Sequence, residues 1–143
     1  MLTTNQKGLL AETTVIRECV KLGVGVARPL DDERYDLILD LRPELLRVQC
    51  KWATRYDDVL VVRLYSSRRG PTGTINRCYG LDEVDAFAVY CDGTDTCYFL
   101  GPEFAGTPQV LLRLGPTRNN QAQLVRWARD FEFAAKVRSL LGP

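Results

Sequence analysis

The stretch that most constrains this 143-residue chain runs from Tyr35 to Ala53, where apolar and polar residues alternate on both sides of Arg42-Pro43-Glu44. Alternation with a period of two marks a strand with one buried face, and a proline between two such runs marks a turn, so the stretch predicts a β-hairpin. On the first strand Leu37, Leu39 and Leu41 share a face opposite Asp36, Ile38 and Asp40. On the second, Val48, Cys50 and Trp52 lie opposite Arg47, Gln49 and Lys51. A hairpin symmetric about Pro43 and Glu44 sets Leu39 against Val48, Leu37 against Cys50, Asp40 against Arg47 and Asp36 against Lys51. The apolar set then closes a core, while an acid, an amide and an amine converge on the other face. A slip of one residue would exchange the two faces, so burial of one of them pins the register.

The flanking segments supply cover for such a hairpin. A helix is expected from a cap at Asn5 to about Leu22, stopped by Gly23. Its apolar stripe is Leu9, Ile16 and Val20, with Val15 and Cys19 at the margin, and Glu12 falls inside it. An inward carboxylate is costly without a cation, so Glu12 is either half of a salt bridge at the helix border or an acid delivered to a metal site. Residues 24–28 read as a short strand ended by Pro29, and residues 30–34, with Asp31, Asp32 and Glu33, as a polar connector outside the chemistry. A third strand is expected over 59–65. Residues 66–80 read as a loop carrying Arg68, Arg69, Arg77 and Tyr79, which either follows a DNA backbone or solvates the surface. Residues 86–91 and 97–100 are strands about the turn signal Asp92-Gly93-Thr94-Asp95, which brings Cys91 near Cys97. After the apolar run 110–114, Asn119 or Asn120 caps a helix from about Gln121, with the stripe Leu124, Trp127, Ala128, Phe131 and Ala135. Arg126 and Arg129 lie off that stripe, facing DNA or water. With no repeat or linker, one α/β domain over 1–143 is expected.

Composition removes several chemistries. The chain has no histidine, and its five cysteines form no Cys-x-x-Cys pair, which excludes Ser-His and Cys-His catalysis and the usual zinc sites. A net charge of +1 gives no global basic field, so local arginine clusters matter more: Arg63, Arg68, Arg69 and Arg77, then Arg113, Arg118, Arg126 and Arg129. No run approaches ~18 apolar residues, so no membrane span is expected. An odd cysteine count without a signal peptide points to the cytoplasm and to buried free thiols.

Taken together, the hairpin and its neighbours resemble the PD-(D/E)XK nuclease superfamily, whose motif is an Asp opening one strand and an acid-x-Lys triplet on the strand beside it. Asp36 matches the first element and Lys51 the last. Gln49 stands where most members carry Asp or Glu, a departure that resembles the group I intron homing endonucleases of the superfamily. Lys7-Gly8-Leu9-Leu10-Ala11-Glu12, Val24-Gly25-Val26-Ala27-Arg28-Pro29, Tyr35-Asp36 and the strand Val84-Asp85-Ala86-Phe87-Ala88-Val89-Tyr90 are also similar to theirs, so the resemblance covers most of residues 5–100. It implies a restriction-endonuclease-like α/β core, a central mixed β-sheet flanked by an N-terminal and a C-terminal helix.

Phosphodiester hydrolysis by such a protein calls for a hard cation held by oxygens, and Mg²⁺ takes one or two carboxylates together with water and phosphate oxygens. Asp36 is the expected first ligand and Glu12 the second, directly or through water. Gln49 offers an amide oxygen or orients the water, and Lys51 offsets charge at the phosphate. The resemblance adds the Cys50 carbonyl as a further ligand. Double-stranded DNA is the expected partner, contacted by Arg68, Arg69, Arg77, Tyr79 and Arg118, with no nucleotide cofactor. So small a domain has little surface for reading a long site, so a homo-oligomer is expected, a dimer or, by the resemblance, a tetramer. Two alternatives stay open: a junction-resolving or repair nuclease of the same fold, and a catalytically silent DNA-binding module.

Overall fold

Thr3, not Asn5, starts the N-terminal helix. In this computed structural model, which describes residues 1–116, 119 and 124–141, the Gln6 N–H donates to the Thr3 hydroxyl and the Thr3 N–H donates to the Gln6 side chain. That reciprocal pair satisfies two donors the helix would otherwise orphan. The helix, α1 (Thr4–Leu22), ends at Gly23, whose φ of 74° is left-handed and open to glycine at no steric cost. Its buried residues are Ala11, Val15 and Cys19, whereas Leu9 and Val20 are exposed. The buried stripe is therefore rotated from the expected one. Small side chains face the sheet, and Glu12 sits at the edge of that face rather than within it.

The strands in chain order are β1 (Gly25–Ala27), β2 (Leu37–Asp40), β3 (Leu45–Tyr56), β4 (Val59–Arg63), β5 (Tyr65–Gly70), β6 (Gly73–Cys78), β7 (Ala86–Cys91), β8 (Thr96–Leu100) and β9 (Gln109–Arg113). All but β5 and β6 form one mixed sheet, and β3 is its hub. Twelve residues long, β3 is long enough to change partners: its start pairs antiparallel with β2, its middle parallel with β7, and its end antiparallel with β4. Side-chain alternation along β3 then feeds two cores. Val48 and Cys50 pack with Leu37, Leu39, Ala11, Val15 and Phe133 beneath α1 and the C-terminal helix α2 (Phe133–Leu140). On the opposite face Ala53 packs with Leu60, Val62, Phe87 and Val89. This is a restriction-endonuclease-like α/β fold, a mixed sheet with a helix from each end of the chain. Among the described residues no helix is long and apolar enough to cross a membrane.

The hairpin forms as predicted, but its register is displaced by two. The Leu41 N–H donates to the Glu44 carbonyl, so the turn centres between Arg42 and Pro43, one residue earlier than expected. Leu37 therefore faces Val48, Leu39 faces Leu46 and Asp40 faces Leu45. A displacement of two leaves every side chain on its predicted face, and the apolar and polar sets stay separate. The expected Asp40–Arg47 pair does not form. Arg47 instead meets Asp85 at 3.0 Å and donates to the Leu81 and Asp82 carbonyls.

Three other segments differ from expectation. The third strand ends at Arg63, and residues 65–78 are a two-stranded antiparallel ribbon rather than a loop, closed between Gly70 and Gly73. Cys91 and Cys97 lie in opposite cores, because Cys97 pairs with Tyr90 across the β7–β8 turn. All five thiols are free, and all but Cys78 are buried. The single C-terminal helix from Gln121 is replaced, within the described residues, by a 3₁₀ turn (Ala128–Phe131) and the shorter α2. Extended backbone at Trp127 and Glu132, bridged to Arg113 and Tyr98, interrupts the helical path. Of the two expected caps, Asn120 lies outside the described residues, as does the expected start at Gln121, while Asn119 is described and lies in a turn.

Two substitutions separate the core from the ribbon. Leu37→Ala empties a fully buried position and should lower unfolding free energy by ~2–5 kcal/mol. Arg68→Ser, on the exposed ribbon, should change it by no more than about 0.5 kcal/mol. Urea denaturation followed by tryptophan fluorescence measures both, and comparable losses would contradict this division.

Candidate active site

Gln49 and Lys51 leave β3 on the face opposite Val48 and Cys50, with the fully buried Phe87 and Val89 beside them in register on β7. Asp36 reaches the same place from the chain just ahead of β2. Its N–H donates to the Val48 carbonyl at 2.9 Å, and its Oδ2 accepts the Cys50 N–H at 3.0 Å. The corrected register thus sets Asp36 beside the backbone that carries Gln49 and Lys51, rather than opposite Lys51. The Gln49 amide nitrogen approaches the Cys50 carbonyl at 3.4 Å. Turning that amide over would bring two oxygens, Gln49 Oε1 and Cys50 O, to one point.

Glu12 arrives from α1. Its carboxylate meets Arg28 Nε at 3.0 Å, just beyond β1, so the salt-bridge reading of Glu12 is realised. It also shares a cleft of about 180 Å³ with Asp36, lined by Arg28, Tyr35 and the connector acids Asp31, Asp32 and Glu33. A larger, mostly apolar cavity of about 640 Å³ lies by the hairpin turn, against Leu41, Leu46, Phe99 and Leu140, and holds none of these groups.

Burial governs the charges here. It raises the Asp36 carboxyl above its usual range even though the Cys50 N–H, Lys51 and Arg28 oppose the rise. Glu12 is raised by burial and then by the Asp36 charge, against Arg28. Lys51 is lowered by burial, with Arg34 assisting and Asp36 resisting. Two carboxylates held uncomfortably together in one cleft favour an added cation. Among the described residues no three carboxylates or thiols converge as a cage, so a cation placed here would draw on two carboxylates and neutral oxygens. That donor set suits Mg²⁺. Burial also pushes the Cys50 thiol well up, so its backbone carbonyl is the atom it can offer a hard ion.

Lys51 is held from behind. Its Nζ donates to the Tyr65 carbonyl at the root of the β5–β6 ribbon, 2.9 Å away, and lies 4.9 Å from the Tyr79 ring centre. Arg34 stands over the same ring at 3.9 Å. Tyr79, expected to face DNA, is instead only 4% exposed and packs on Phe87, so its ring has no face for a duplex. Arg68, Arg69 and Arg77 are exposed on the ribbon, Arg68 and Arg77 on one side and Arg69 on the other. Arg77 also reaches Glu83 at 2.9 Å. Arg118 lies outside the described residues.

Arg28, Arg34 and the connector acids were not among the expected site residues. A signal for Arg34 existed, since it stands two before Asp36, where an extended chain returns to the same side. The connector acids read as a solvated loop because their run contains no apolar partner to give it a face.

A family model for PD-(D/E)XK endonucleases matches residues 2–134 of this chain. No curated protein matches it. Among solved structures, the chain is similar in fold to a bacterial homing endonuclease, I-Ssp6803I, with a TM-score of 0.78 over 96% of this chain and 93% of that one, at 22% identity.

The raised carboxyls make a prediction about stability. The folded chain binds protons at Asp36 and Glu12 more tightly than the unfolded chain does, so stability falls as pH rises from the ordinary carboxylate range through the raised one. Asp36→Asn removes one of these charges and keeps an oxygen for the Cys50 N–H. In EDTA at pH 7 its thermal midpoint should equal or exceed wild type, with any advantage vanishing once acid protonates Asp36 in the wild type. A midpoint several degrees below wild type at pH 7 would show that the charge supports the fold.

Proposed function

Because the chain belongs to the PD-(D/E)XK endonuclease family, we propose that it is a Mg²⁺-dependent endonuclease that hydrolyses phosphodiester bonds at specific sites in double-stranded DNA, in the manner of a homing endonuclease. The observation that carries this reading is the meeting of Asp36, Gln49 and Lys51 at one stretch of β3, with Glu12 in the Asp36 cleft. Asp36 and Glu12 would hold the cation, and the Cys50 carbonyl and Gln49 amide would complete the protein's share of its oxygens. When bound, Mg²⁺ supplies positive charge at the phosphate and acidifies a water.

Lys51 has three N–H donors and spends one on Tyr65. The others orient the attacking water and offset negative charge growing on the phosphate. Gln49 lowers the charge of the site relative to an acid there, so millimolar rather than trace Mg²⁺ is required. The ribbon is the DNA-contacting element. A two-stranded β-ribbon fits a major groove, and Arg68, Arg69 and Arg77 offer guanidinium forks to phosphates and bases. One ribbon covers a short stretch of duplex, so the working form is a homo-oligomer, a dimer or tetramer, that sets several ribbons along one site.

The test is cleavage. A randomised duplex library identifies the preferred site, and a supercoiled plasmid carrying it is then incubated with protein in Mg²⁺ or EDTA. Wild type should nick in Mg²⁺ alone. Lys51→Ala should lose ~10²-fold or more in rate, and Gln49→Leu should fall well below wild type, each with DNA binding retained by gel shift in Ca²⁺. Lys51→Ala cutting as fast as wild type would refute the assignment, and binding without any cleavage would leave a DNA-binding module. Sedimentation with and without duplex should show more than one copy per particle, and a monomer in both would contradict the assembly.

A further inference from the structure

The β5–β6 ribbon stands apart from the main sheet. A lone two-stranded ribbon is marginal in water, and from Ser67 to Arg77 nearly every residue of this one is exposed. Something must fasten it, and one guanidinium touches both of its strands. Arg34 Nη1 donates to the Ser66 hydroxyl on β5 at 2.6 Å, and Nη2 donates to the Cys78 and Arg77 carbonyls on β6 at 2.8 and 3.3 Å. Its Nε lies 3.2 Å from Glu83 Oε2, the oxygen that also receives Arg77 at 2.9 Å.

The same cluster reaches the site. Tyr65 pairs with Cys78 across the root of the ribbon, and the Tyr65 carbonyl is the acceptor for Lys51. Arg34 and Lys51 also share the Tyr79 ring. A shift of the ribbon root would therefore carry the lysine's anchor with it. We infer that Arg34 is a positioning residue that clasps the ribbon root and, through the Tyr65 carbonyl, sets the place of the Lys51 ammonium, so that the DNA-contacting arm and the reacting centre move as one body. Only arginine's planar fork can span three acceptors on two strands and still stack on a ring. A lysine at this position keeps the charge and loses the span.

The inference rests on the nuclease reading for its catalytic half, so the experiment has one arm that needs no cleavage. Arg34→Lys, Arg34→Gln and the milder Ser66→Ala are compared with wild type by amide hydrogen exchange and by single-turnover cleavage at saturating protein. Exchange across 65–78 should accelerate in both Arg34 variants, and less in Ser66→Ala, while β3 and β7 stay protected and report an intact core. The saturated cleavage rate should fall on the order of 10- to 100-fold in both Arg34 variants, as expected of a misplaced reacting group. Unchanged ribbon exchange overturns the clasp. Faster exchange with an unchanged saturated rate overturns the link to Lys51. Full rescue by Arg34→Lys overturns the fork in favour of charge alone. A wild type that cuts nothing, with ribbon exchange still raised in the variants, overturns the nuclease reading and the catalytic half with it, and leaves the clasp upheld.

Discussion

The Cys50 N–H bond to Asp36 Oδ2 joins the acid to the hub strand. Cys50 turns its side chain into the core beneath α1 and α2. Its amide holds Asp36, and its two neighbours, Gln49 and Lys51, project to the other face. One residue of β3 thus belongs to the hydrophobic core through its side chain and to the polar site through its backbone. Because strand side chains alternate strictly, any force that keeps Val48 and Cys50 buried also keeps Gln49 and Lys51 in the site. Packing of the sheet is what preorganises the polar groups.

That arrangement works against the local electrostatics. Burial disfavours the charged forms of Asp36, Glu12 and Lys51 alike, and the attraction between Asp36 and Lys51 does not overcome it at either group. Arg28 partly offsets the two acids from outside. Such a site costs stability in the folded chain and recovers it when a cation or a charged substrate arrives, the usual trade between stability and activity. The cores carry none of this expense, since their fully buried residues are apolar.

Much of this was legible in the sequence where a period could be read. The alternation in 35–53 assigned every hairpin residue to its correct face, although the turn centre was misplaced by one residue and the pairing by two, because an even displacement changes no face. The α1 stripe was misread because apolarity pointed to Leu9 and Val20, while close approach to the sheet selected the smaller Ala11 and Cys19. Residues 66–80 looked like a loop since Gly, Pro and Arg dominate them, and their strand pairing is held by a remote arginine that no local pattern reveals. Tyr79 went the same way: it closes a run rich in Gly and Arg, but its ring is committed to Phe87 and the two cations. Beyond Arg113, bridges to β8 and β9 overrode a helical spacing that looked continuous.

The most direct test of the account is a titration of the metal-free chain with Mn²⁺, a probe for the oxygen-ligand site, followed by electron paramagnetic resonance and competed with Mg²⁺. One competed site per chain is expected in the wild type, strongly weakened in Asp36→Asn and in Glu12→Gln, with both variants folded. Absence of a site in the wild type, or equal binding by the two variants, would contradict it.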